Sequence, residues 1–474
     1  MILAENAGLT SSENSVKSRD VFMNIIIVGC GRVGRSIAEQ LNMEGHSITV
    51  IDEKVSALDK ISDTQNVMAI EGNGASYKTL NEAGITNCDL LIAVTAADEL
   101  NLYTCLLAKT SGVQSTIARV RNPEYINDIP FVKDELKLSL AINPELTCAS
   151  EIARLVKFSG AIKIDSFSKG MIDLIKIKVD ENSPFANKKI ADCSSILKGS
   201  VRIPIVERGE ETYIPNGDFE IKVGDRISFV STKSESGKML KRLGLLNNKG
   251  RNVMILGGSK IGYYLAKSLK EEGLSVKIIE NRQQRCEELS ENLDGVMIIY
   301  GDAMDEDMLL SEGIETADAV VALMDTDEEN ALVSMYVRRI NPKAKVITEL
   351  GNLKFSSIFD SLDLDTIIRP KQLTGEYIIR YVRGMQNTVG SNVETMYKIN
   401  NWQAEALEFR VRDKSQVTSI PLAGLNFKND LQIVCINRNG KIIIPTGTDT
   451  IEVGDTVIVV TKHKGLSDLK DILK

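Results

Sequence analysis

The chain has 474 residues, a formal net charge of -8 and a hydrophobic fraction of 43%. A length of this order predicts two to four domains, and the acidic balance argues against a general nucleic-acid binder, which needs a basic face. No stretch approaches the roughly 18–20 apolar residues of a membrane span. Cysteines without a C-x-x-C pair, together with very few histidines, indicate a reduced cytosolic protein without a zinc site.

Residues 1–22 precede the first predicted strand and carry acidic, serine and asparagine residues. They contain no apolar segment of the kind that defines a secretory signal. We therefore expect either a disordered extension or a natural start at Met23.

The first predicted strand, 24–28, runs into a glycine turn and then into a helix over about 32–44. Gly29, Gly31 and Gly34 form the G-x-G-x-x-G pattern, which allows a tight turn, close approach of a pyrophosphate and close helix–strand packing. Asp52 ends the next predicted strand, where a carboxylate accepts hydrogen bonds from ribose hydroxyls and repels a 2′-phosphate. The pattern predicts a site for NAD(H) or an adenine nucleotide; a glycine turn kept for packing alone is the alternative.

Short apolar runs then alternate with helical segments as far as the strand at 116–120. Such runs suit parallel strands that are buried on both faces, so we predict a doubly wound sheet. Thr95 and Ala96 follow the fourth strand, where the adenine or ribose edge should pass. Arg119 ends the fifth strand, where it could pair with a phosphate or with a structural carboxylate.

From about residue 165 the pattern changes to short alternating strands with tight turns, which predicts a small α+β module of about 80 residues. The segment 151–160 reads as a helix that joins it to the first sheet, and 244–251 as a linker.

The whole arrangement then repeats at a near-constant offset of about 230 residues. A second glycine turn follows the strand at 252, and a second module ends the chain, with Asn439-Gly440 as a type I′ hairpin signal. We predict an α/β protein of two tandem units, each a doubly wound Rossmann-like parallel sheet followed by a small α+β subdomain. The predicted boundaries are 1–22, 23–145, 146–245, 251–370 and 371–474.

The second glycine turn departs from the first. Gly257, Gly258 and Gly262 are present, but Ser259 occupies the middle glycine position, where a Cβ crowds the phosphate. Glu280 provides a ribose acceptor, and Lys260 adds positive charge. We align Thr348 with Arg119, which weakens this site further; a scaffold that binds nothing is the alternative.

No residue pattern indicates a reaction. Both histidines lie away from the predicted strand ends that face a cofactor, and there is no P-loop motif. We therefore expect no catalytic residue, no metal ligand and a role as a sensor, with an NAD-dependent oxidoreductase as the alternative.

The segments IIIVGCGRVGRSIAEQL, ITVID, EGNGA and LLIAVTAADELN, together with VGDRISFVST and VGDTVIVVTK, resemble the RCK/KTN family. The resemblance implies binding of NAD(H), with ADP and ATP as further candidates, and a homo-oligomer, either a dimer or a tetramer, that forms a ring. It also implies a cytoplasmic position on the inner face of the membrane, where the ring regulates a Trk-type potassium-translocating subunit. The residues that it implicates are Gly29, Cys30, Gly31, Arg32, Val33, Gly34, Asp52, Thr95, Ala96, Arg119, Gly257, Gly258, Ser259, Lys260, Ile261 and Glu280.

Overall fold

The computed structural model describes residues 22–62, 67–132, 134–136, 138–158, 160–167, 171–197, 201–245, 252–351, 362, 364, 366–386, 393–399, 403–466 and 468–474. The predicted N-terminal extension, apart from its last residue, and most of the predicted linker at 244–251 lie outside the described residues.

The first unit begins with a six-stranded parallel sheet of order β3-β2-β1-β4-β5-β6. Its strands β1 and β4 are apolar and buried on both faces because helices cover both sides. The element bounds are β1 Asn24–Val28, α1 Arg32–Met43, β2 Ser47–Asp52, α2 Val55–Ser62, β3 Val67–Glu71, α3 Tyr77–Glu82, β4 Leu90–Ala93, α4 Asp98–Thr110, β5 Ser115–Arg119, α5 Pro123–Val132 and β6 Leu140–Ile142.

A linking helix, α6 (Pro144–Lys157), leads to the first α+β module. The five-stranded antiparallel sheet of this module has the order β11-β10-β13-β8-β7. The module consists of β7 Lys163–Phe167, β8 Ile172–Lys178, β9 Lys188–Lys189, α7 Ser194–Leu197, β10 Arg202–Arg208, β11 Glu211–Tyr213, β12 Glu220–Ile221, β13 Arg226–Thr232 and α8 Lys233–Arg242.

The second unit repeats the first sheet, with the order β16-β15-β14-β17-β18-β19. Its elements are β14 Asn252–Leu256, α9 Lys260–Glu271, β15 Ser275–Glu280, α10 Gln283–Asn292, β16 Met297–Tyr300, α11 Glu306–Ser311, β17 Ala319–Ala322, α12 Asp327–Ile340, β18 Lys345–Glu349 and β19 Thr366–Ile368.

The second linking helix, α13 (Pro370–Gln386), leads to a second antiparallel sheet of the same topology, β20-β21-β24-β22-β23. Its strands are β20 Val393–Ile399, β21 Ala404–Arg410, β22 Leu431–Arg438, β23 Lys441–Ile443 and β24 Thr456–Thr461. Asn439 and Gly440 have φ values of +51° and +85° between β22 and β23, as a type I′ hairpin requires. The predicted fold class, two tandem units of this composition, is confirmed.

The two linking helices cross between the units. Ile378 and Val382 of α13 are fully buried with Ile37 and Leu41 of α1, in the core of the first unit. Helix α6 packs in the same way against α9 of the second unit. Each unit therefore supplies a helix that completes the apolar core beneath the other unit's glycine turn. None of the helices in the described part of the chain is long and apolar enough to cross a bilayer.

The two α+β modules also share a core. Phe167, Ile205 and Val230 of the first module are buried together with Val434 and Ile458 of the second. Burying a large apolar side chain stabilises a fold by roughly 1.5–3 kcal/mol. The shared core therefore couples the modules at the distal end, as the crossing helices couple the two parallel sheets.

Candidate functional site

The first glycine turn connects β1 to α1 at the carboxyl edge of the first sheet. Gly29 has a φ of +104°, and a Cβ there would lie 3.0 Å from the backbone nitrogen of Thr95. At Gly34 a Cβ would lie only 1.9 Å from the carbonyl oxygen of Gly29. Both positions need glycine, since a side chain at either one would clash with backbone atoms. The turn therefore brings the start of α1 directly against the sheet edge.

The start of α1 is open at Gly31. A Cβ added to this exposed residue would meet no atom within 4 Å, and no side chain caps the helix. Unsatisfied N–H groups and the helix dipole at such an N-terminus attract an anion. Arg32 is exposed beside the opening, and Val33 packs on the core beneath it. Cys30 is buried, and burial raises the pKa of its thiol, so this residue presents no nucleophile to the opening.

Asp52 lies next to this opening, at the end of β2. Its Oδ2 accepts a hydrogen bond of 2.6 Å from the backbone N–H of Cys30, and its Oδ1 accepts one of 2.9 Å from that of Lys54. A carboxylate has about four acceptor positions. Asp52 is thus anchored by backbone donors while it retains acceptor capacity for ribose hydroxyls.

Asn101 connects the two neighbouring strand ends. Its Oδ1 accepts hydrogen bonds from the backbone N–H and Oγ1 of Thr95 (2.8 and 2.7 Å), and its Nδ2 donates to the carbonyl of Arg119. The Nη2 of Arg119 in turn donates to the carbonyl of Thr95 at 2.6 Å, and Ala96 is exposed beside it. The buried Nε of Arg119 has no hydrogen-bond partner in the described part of the chain. A buried donor without an acceptor is costly, so an anionic oxygen of a ligand fits this position.

The second glycine turn keeps the backbone and changes the helix start. Gly257 has a φ of +105°, and a Cβ at Gly262 would lie 2.7 Å from the carbonyl oxygen of Gly257. Ser259 caps α9, because its side chain accepts a 3.2 Å hydrogen bond from the N–H of Gly262. Lys260 is exposed and Ile261 is buried. This cap satisfies a donor that remains available to a ligand at the first turn.

The carboxylate that stands in the place of Asp52 in the second unit is paired with an arginine. The carboxylate of Glu280 accepts 2.9 and 3.1 Å hydrogen bonds from Nε and Nη2 of Arg282, besides backbone N–H groups of Arg282 and Gly258. Burial alone would raise the pKa of Glu280, but these hydrogen bonds outweigh it and the pKa is lowered. Glu280 is therefore a charged carboxylate with its acceptor positions largely filled.

A cleft of about 270 Å³ adjoins the second turn. Besides the turn and Glu280, it is lined by the carboxylate residues Asp302, Asp325 and Glu329. These three residues belong to none of the sequence motifs that predicted the site, although the common offset between the units places them at the strand ends.

The strand pairing corrects one alignment. Ala118 pairs with Ala93 as Thr348 pairs with Ala322, so the next residue, Glu349, stands where Arg119 stands in the first unit. The side chain of Asn330 confirms this equivalence, because it donates to the carbonyl of Glu349 at 3.1 Å. The prediction that Thr348 aligns with Arg119 is wrong. Helix α12 is one residue longer than α4 (14 against 13 residues), and this insertion shifts the register of the following strand.

Glu349 lies in an acidic environment between the units. Burial and the carboxylate of Asp327 raise the pKa of Glu349 to about 7, with smaller contributions from Asp325 and from Glu145 of α6. Lys371, at the start of α13, acts in the opposite direction. The position that holds a cation in the first unit thus holds a carboxyl group that titrates near neutral pH.

Tyr264 of α9 connects the second turn to the first unit. Its hydroxyl donates to the carbonyl of Arg121 at 3.2 Å and accepts a 3.1 Å hydrogen bond from Nδ2 of Asn143. These residues are more than a hundred positions apart in the chain, so no local pattern predicted the contact.

Models of known families match both halves of the chain. The TrkA-N domain matches residues 25–137 and 253–370, and the TrkA-C domain matches residues 174–244 and 406–474.

Individual proteins are similar along almost the whole chain. A Trk system potassium uptake protein TrkA homolog of Archaeoglobus fulgidus is 35% identical over 454 residues, which is 95% of this chain and 100% of that protein. A crystal structure of the GsuK RCK domain is similar with a TM-score of 0.62 at 16% identity, covering 93% of each chain. The structure of the GsuK channel bound to NAD gives a TM-score of 0.62 at 14% identity, over 94% of this chain and 77% of that one. At these identities the two structures establish the shared fold.

Proposed function

Because the chain belongs to the TrkA family, we propose that it is a nucleotide-sensing regulatory subunit that gates potassium uptake by a Trk-type membrane subunit. The family match over both units supports the role in potassium uptake. The open helix start at Gly31, with Asp52 beside it, supports nucleotide sensing and is the observation on which that part of the proposal rests.

The first site fits NAD(H). The N–H groups at the start of α1 hold the pyrophosphate, and Asp52 accepts the ribose hydroxyls. Arg119 donates to an anionic oxygen through its Nε, which has no partner among the described residues. The likeness in fold to a channel structure that contains NAD supports this choice, and ADP and ATP share the adenosine and phosphate groups that these residues recognise. In this role the bound dinucleotide acts as a signal, because its nicotinamide ring is positively charged in the oxidised form and neutral in the reduced form.

The crossing helices α6 and α13 connect each site to the other unit, so a change at a site can alter the packing between the units. Helix α13 packs on α1 at the first site, and α6 packs on α9 at the second. A nucleotide that prefers one packing of these helices shifts the equilibrium between two arrangements of the units by its difference in affinity for them. The distal modules, joined by their shared core, move with the units.

The partners follow from the same family membership. The proposal places the chain in the cytoplasm as a peripheral protein on the inner face of the membrane, in contact with the potassium-translocating subunit. It forms a homo-oligomer, a dimer or a tetramer, arranged as a ring, and has no enzymatic activity.

An NAD-dependent oxidoreductase is the alternative function. The names of the relatives do not favour it. It predicts steady change in absorbance at 340 nm when the purified protein is given NAD(H) and a metabolite, whereas a sensor gives binding without turnover.

Replacing Asp52 tests the nucleotide part of the proposal. Asp52→Arg places a cation against the ribose position, and we expect the affinity for NADH in calorimetry to fall at least about 100-fold, as expected for loss of a charge-assisted contact. In cells that lack their own potassium-uptake regulators, the same variant should uncouple uptake from nucleotide levels.

The matched control is Lys54→Ala, which removes a neighbouring side chain while the backbone N–H that Asp52 accepts stays in place. Unchanged NADH affinity in Asp52→Arg would show that the first site is assigned to the wrong residues. Unchanged potassium uptake in cells without the protein would contradict the regulatory role.

A further inference from the structure

The two units have matching backbones at their third strands but differ in charge there. Asn73 follows β3, and its Oδ1 accepts a 2.8 Å hydrogen bond from the N–H of Ala75. Asp302 follows β16, and its Oδ1 accepts a 2.8 Å hydrogen bond from the N–H of Met304. The turn is therefore the same, and a neutral amide in the first unit is replaced by a carboxylate in the second.

The loops after the fourth strands show the same change. Helices α4 and α12 both begin with an aspartate and carry an equivalent asparagine three residues later. At this alignment Ala96 corresponds to Asp325 and Leu100 to Glu329. Both acidic residues line the second cleft, so two further neutral positions become carboxylates.

The fifth strands complete the inversion. Arg119 corresponds to Glu349 in the sheet register, and two residues later Arg121 corresponds to Gly351. The N–H groups of Arg121 and Gly351 both donate to the aspartate that begins α4 or α12 (2.8 and 2.6 Å), which confirms the match. Both arginines of the first unit are thus absent from the equivalent positions of the second, where the ammonium of Lys371 lies beside Gly351 and provides one positive charge in place of two.

One cleft residue changes in the opposite direction, since Asn281 stands where the first unit has Glu53. From the balance of these differences, which makes the second cleft the more acidic of the two, we propose that it selects weakly anionic adenine ligands, taking NAD in preference to ATP, whereas the first site accepts polyphosphates. The inference rests on the proposed function and assigns a ligand class to each of its two sites. Charges that line a cleft with low-dielectric walls act on a ligand more strongly than charges on an open surface. Asp302, Asp325 and Glu329 therefore discriminate by the number of negative charges that a ligand carries.

Arg282 does not cancel this field. Its guanidinium is paired with Glu280 in a bidentate contact, so together the two side chains contribute no net charge. Ser259 also caps the helix that would otherwise attract a phosphate. Two features of the first site that favour phosphate are therefore missing from the second cleft. These are the uncapped helix start and the arginine at the end of the fifth strand.

The test uses the full chain with Asp52→Arg, which blocks the ribose position of the first site, and Gly31→Asp, which places a carboxylate at its phosphate position where a side chain has room. Binding then reports on the second cleft. NAD, ATP and adenosine are titrated in calorimetry at low ionic strength with EDTA present, since a divalent cation would neutralise the phosphates. We expect NAD to bind at least about tenfold more tightly than ATP. ATP binding as tightly as NAD, or the absence of binding by all three ligands, would overturn the proposal.

A second variant gives the cleft the residues of the first unit. On the same background, Asp302→Asn, Asp325→Ala and Glu329→Leu should raise ATP affinity about tenfold or more and leave adenosine affinity unchanged. An equal gain for adenosine, or no gain for ATP, contradicts selection by charge.

The dependence of ATP affinity on salt concentration provides a further test, which needs no substitution in the second cleft. Salt screens repulsion as well as attraction, so ATP affinity at the second cleft should rise between about 20 and 200 mM salt. At the first site of the unmodified chain it should fall. If ATP and NADH fail to bind the unmodified chain at all, the proposed function fails; if they bind the first site while the second cleft shows attraction for ATP, only this inference fails.

Discussion

The first and second glycine turns share their backbone but not the side chains that face a ligand. Gly29 and Gly257 have φ values of +104° and +105°, and Asn101 and Asn330 hold the neighbouring strand ends with equivalent hydrogen bonds. The exposed positions between these fixed points differ in charge. A few residues that hydrogen-bond to the backbone thus maintain the shared scaffold, and the charges of the surrounding side chains vary independently in the two units.

A second difference concerns which groups donate hydrogen bonds to the two carboxylates. Asp52 accepts only backbone hydrogen bonds among the described residues, whereas Glu280 also holds the side chain of Arg282. Two acidic residues at the same place in the same fold therefore have different capacities for a ribose. Residue type alone does not identify a binding position when a neighbouring side chain can occupy it.

The largest effect should come from the glycines that close the turns. In Gly34→Ala the new Cβ would lie 1.9 Å from a backbone oxygen, and in Gly262→Ala the corresponding distance is 2.7 Å. We expect unfolding free energy to fall by about 2–4 kcal/mol in the first variant and about 1–2 kcal/mol in the second, because the backbone must move further. Urea denaturation measures the unfolding free energy of both variants. Equal decreases in the two variants would contradict the closer backbone approach in the first turn.

The next largest effect is a change in folding stability with pH that is caused by the titration of Glu349. Its pKa is raised from 4.5 to about 7 in the folded chain, so its contribution to stability is fully present below about pH 4.5 and is lost as pH rises through 7. The groups that face it are Asp327, Asp325 and Glu145, which disfavour the charge, and Lys371, which favours it.

Glu349→Gln stays neutral at every pH, so it should be more stable than the unmodified chain by roughly 1–3 kcal/mol at pH 8. At pH 4.5 the two chains should have nearly equal stability. Melting temperatures across this range provide the measurement, with Asp305→Asn, far from this cluster in sequence and exposed, as the control. A difference that does not change with pH would mean that Glu349 does not titrate in this range.

The variant Arg282→Ala tests whether the arginine that pairs with Glu280 prevents this carboxylate from accepting ligand hydroxyls. Removal of the guanidinium leaves Glu280 with acceptor positions for ribose hydroxyls, so adenosine affinity at the second cleft should rise about tenfold. The matched change in the first unit, Lys54→Ala, should leave adenosine affinity at the first site unchanged. Arg282→Ala is measured by calorimetry in the chain whose first site is blocked by Asp52→Arg and Gly31→Asp, and Lys54→Ala is measured with the first site intact. A fall in affinity in Arg282→Ala would show that Arg282 itself contacts the ligand.

The smallest effect should come from exchanging the middle residues of the two turns. Ser259→Gly removes the helix cap and opens the phosphate position, and we expect a gain of about threefold in NAD affinity at the second cleft, with a loss of about 0.5–1 kcal/mol in stability. Gly31→Ser should have the opposite effect on the first site. If both exchanges weaken binding, the cap is not what distinguishes the turns.

The sequence by itself determined the tandem fold and the place of the first glycine turn. Periodicity separated parallel from antiparallel sheets, and the glycine spacing with Asp52 located the opening at α1, because these features depend on residues that are near one another or on a rigid strand order. The offset between the halves also identified the second turn and its serine.

Only the tertiary structure decided what the second site contains. The pairing of Arg282 with Glu280 depends on a rotamer, and the alignment of Glu349 with Arg119 depends on one extra residue in α12 that a constant offset conceals. The crossing of α6 and α13 brings together residues from both units, and the raised pKa of Glu349 follows from that assembly. Burial and charge proximity arise from packing between distant segments, which local patterns in a chain do not encode.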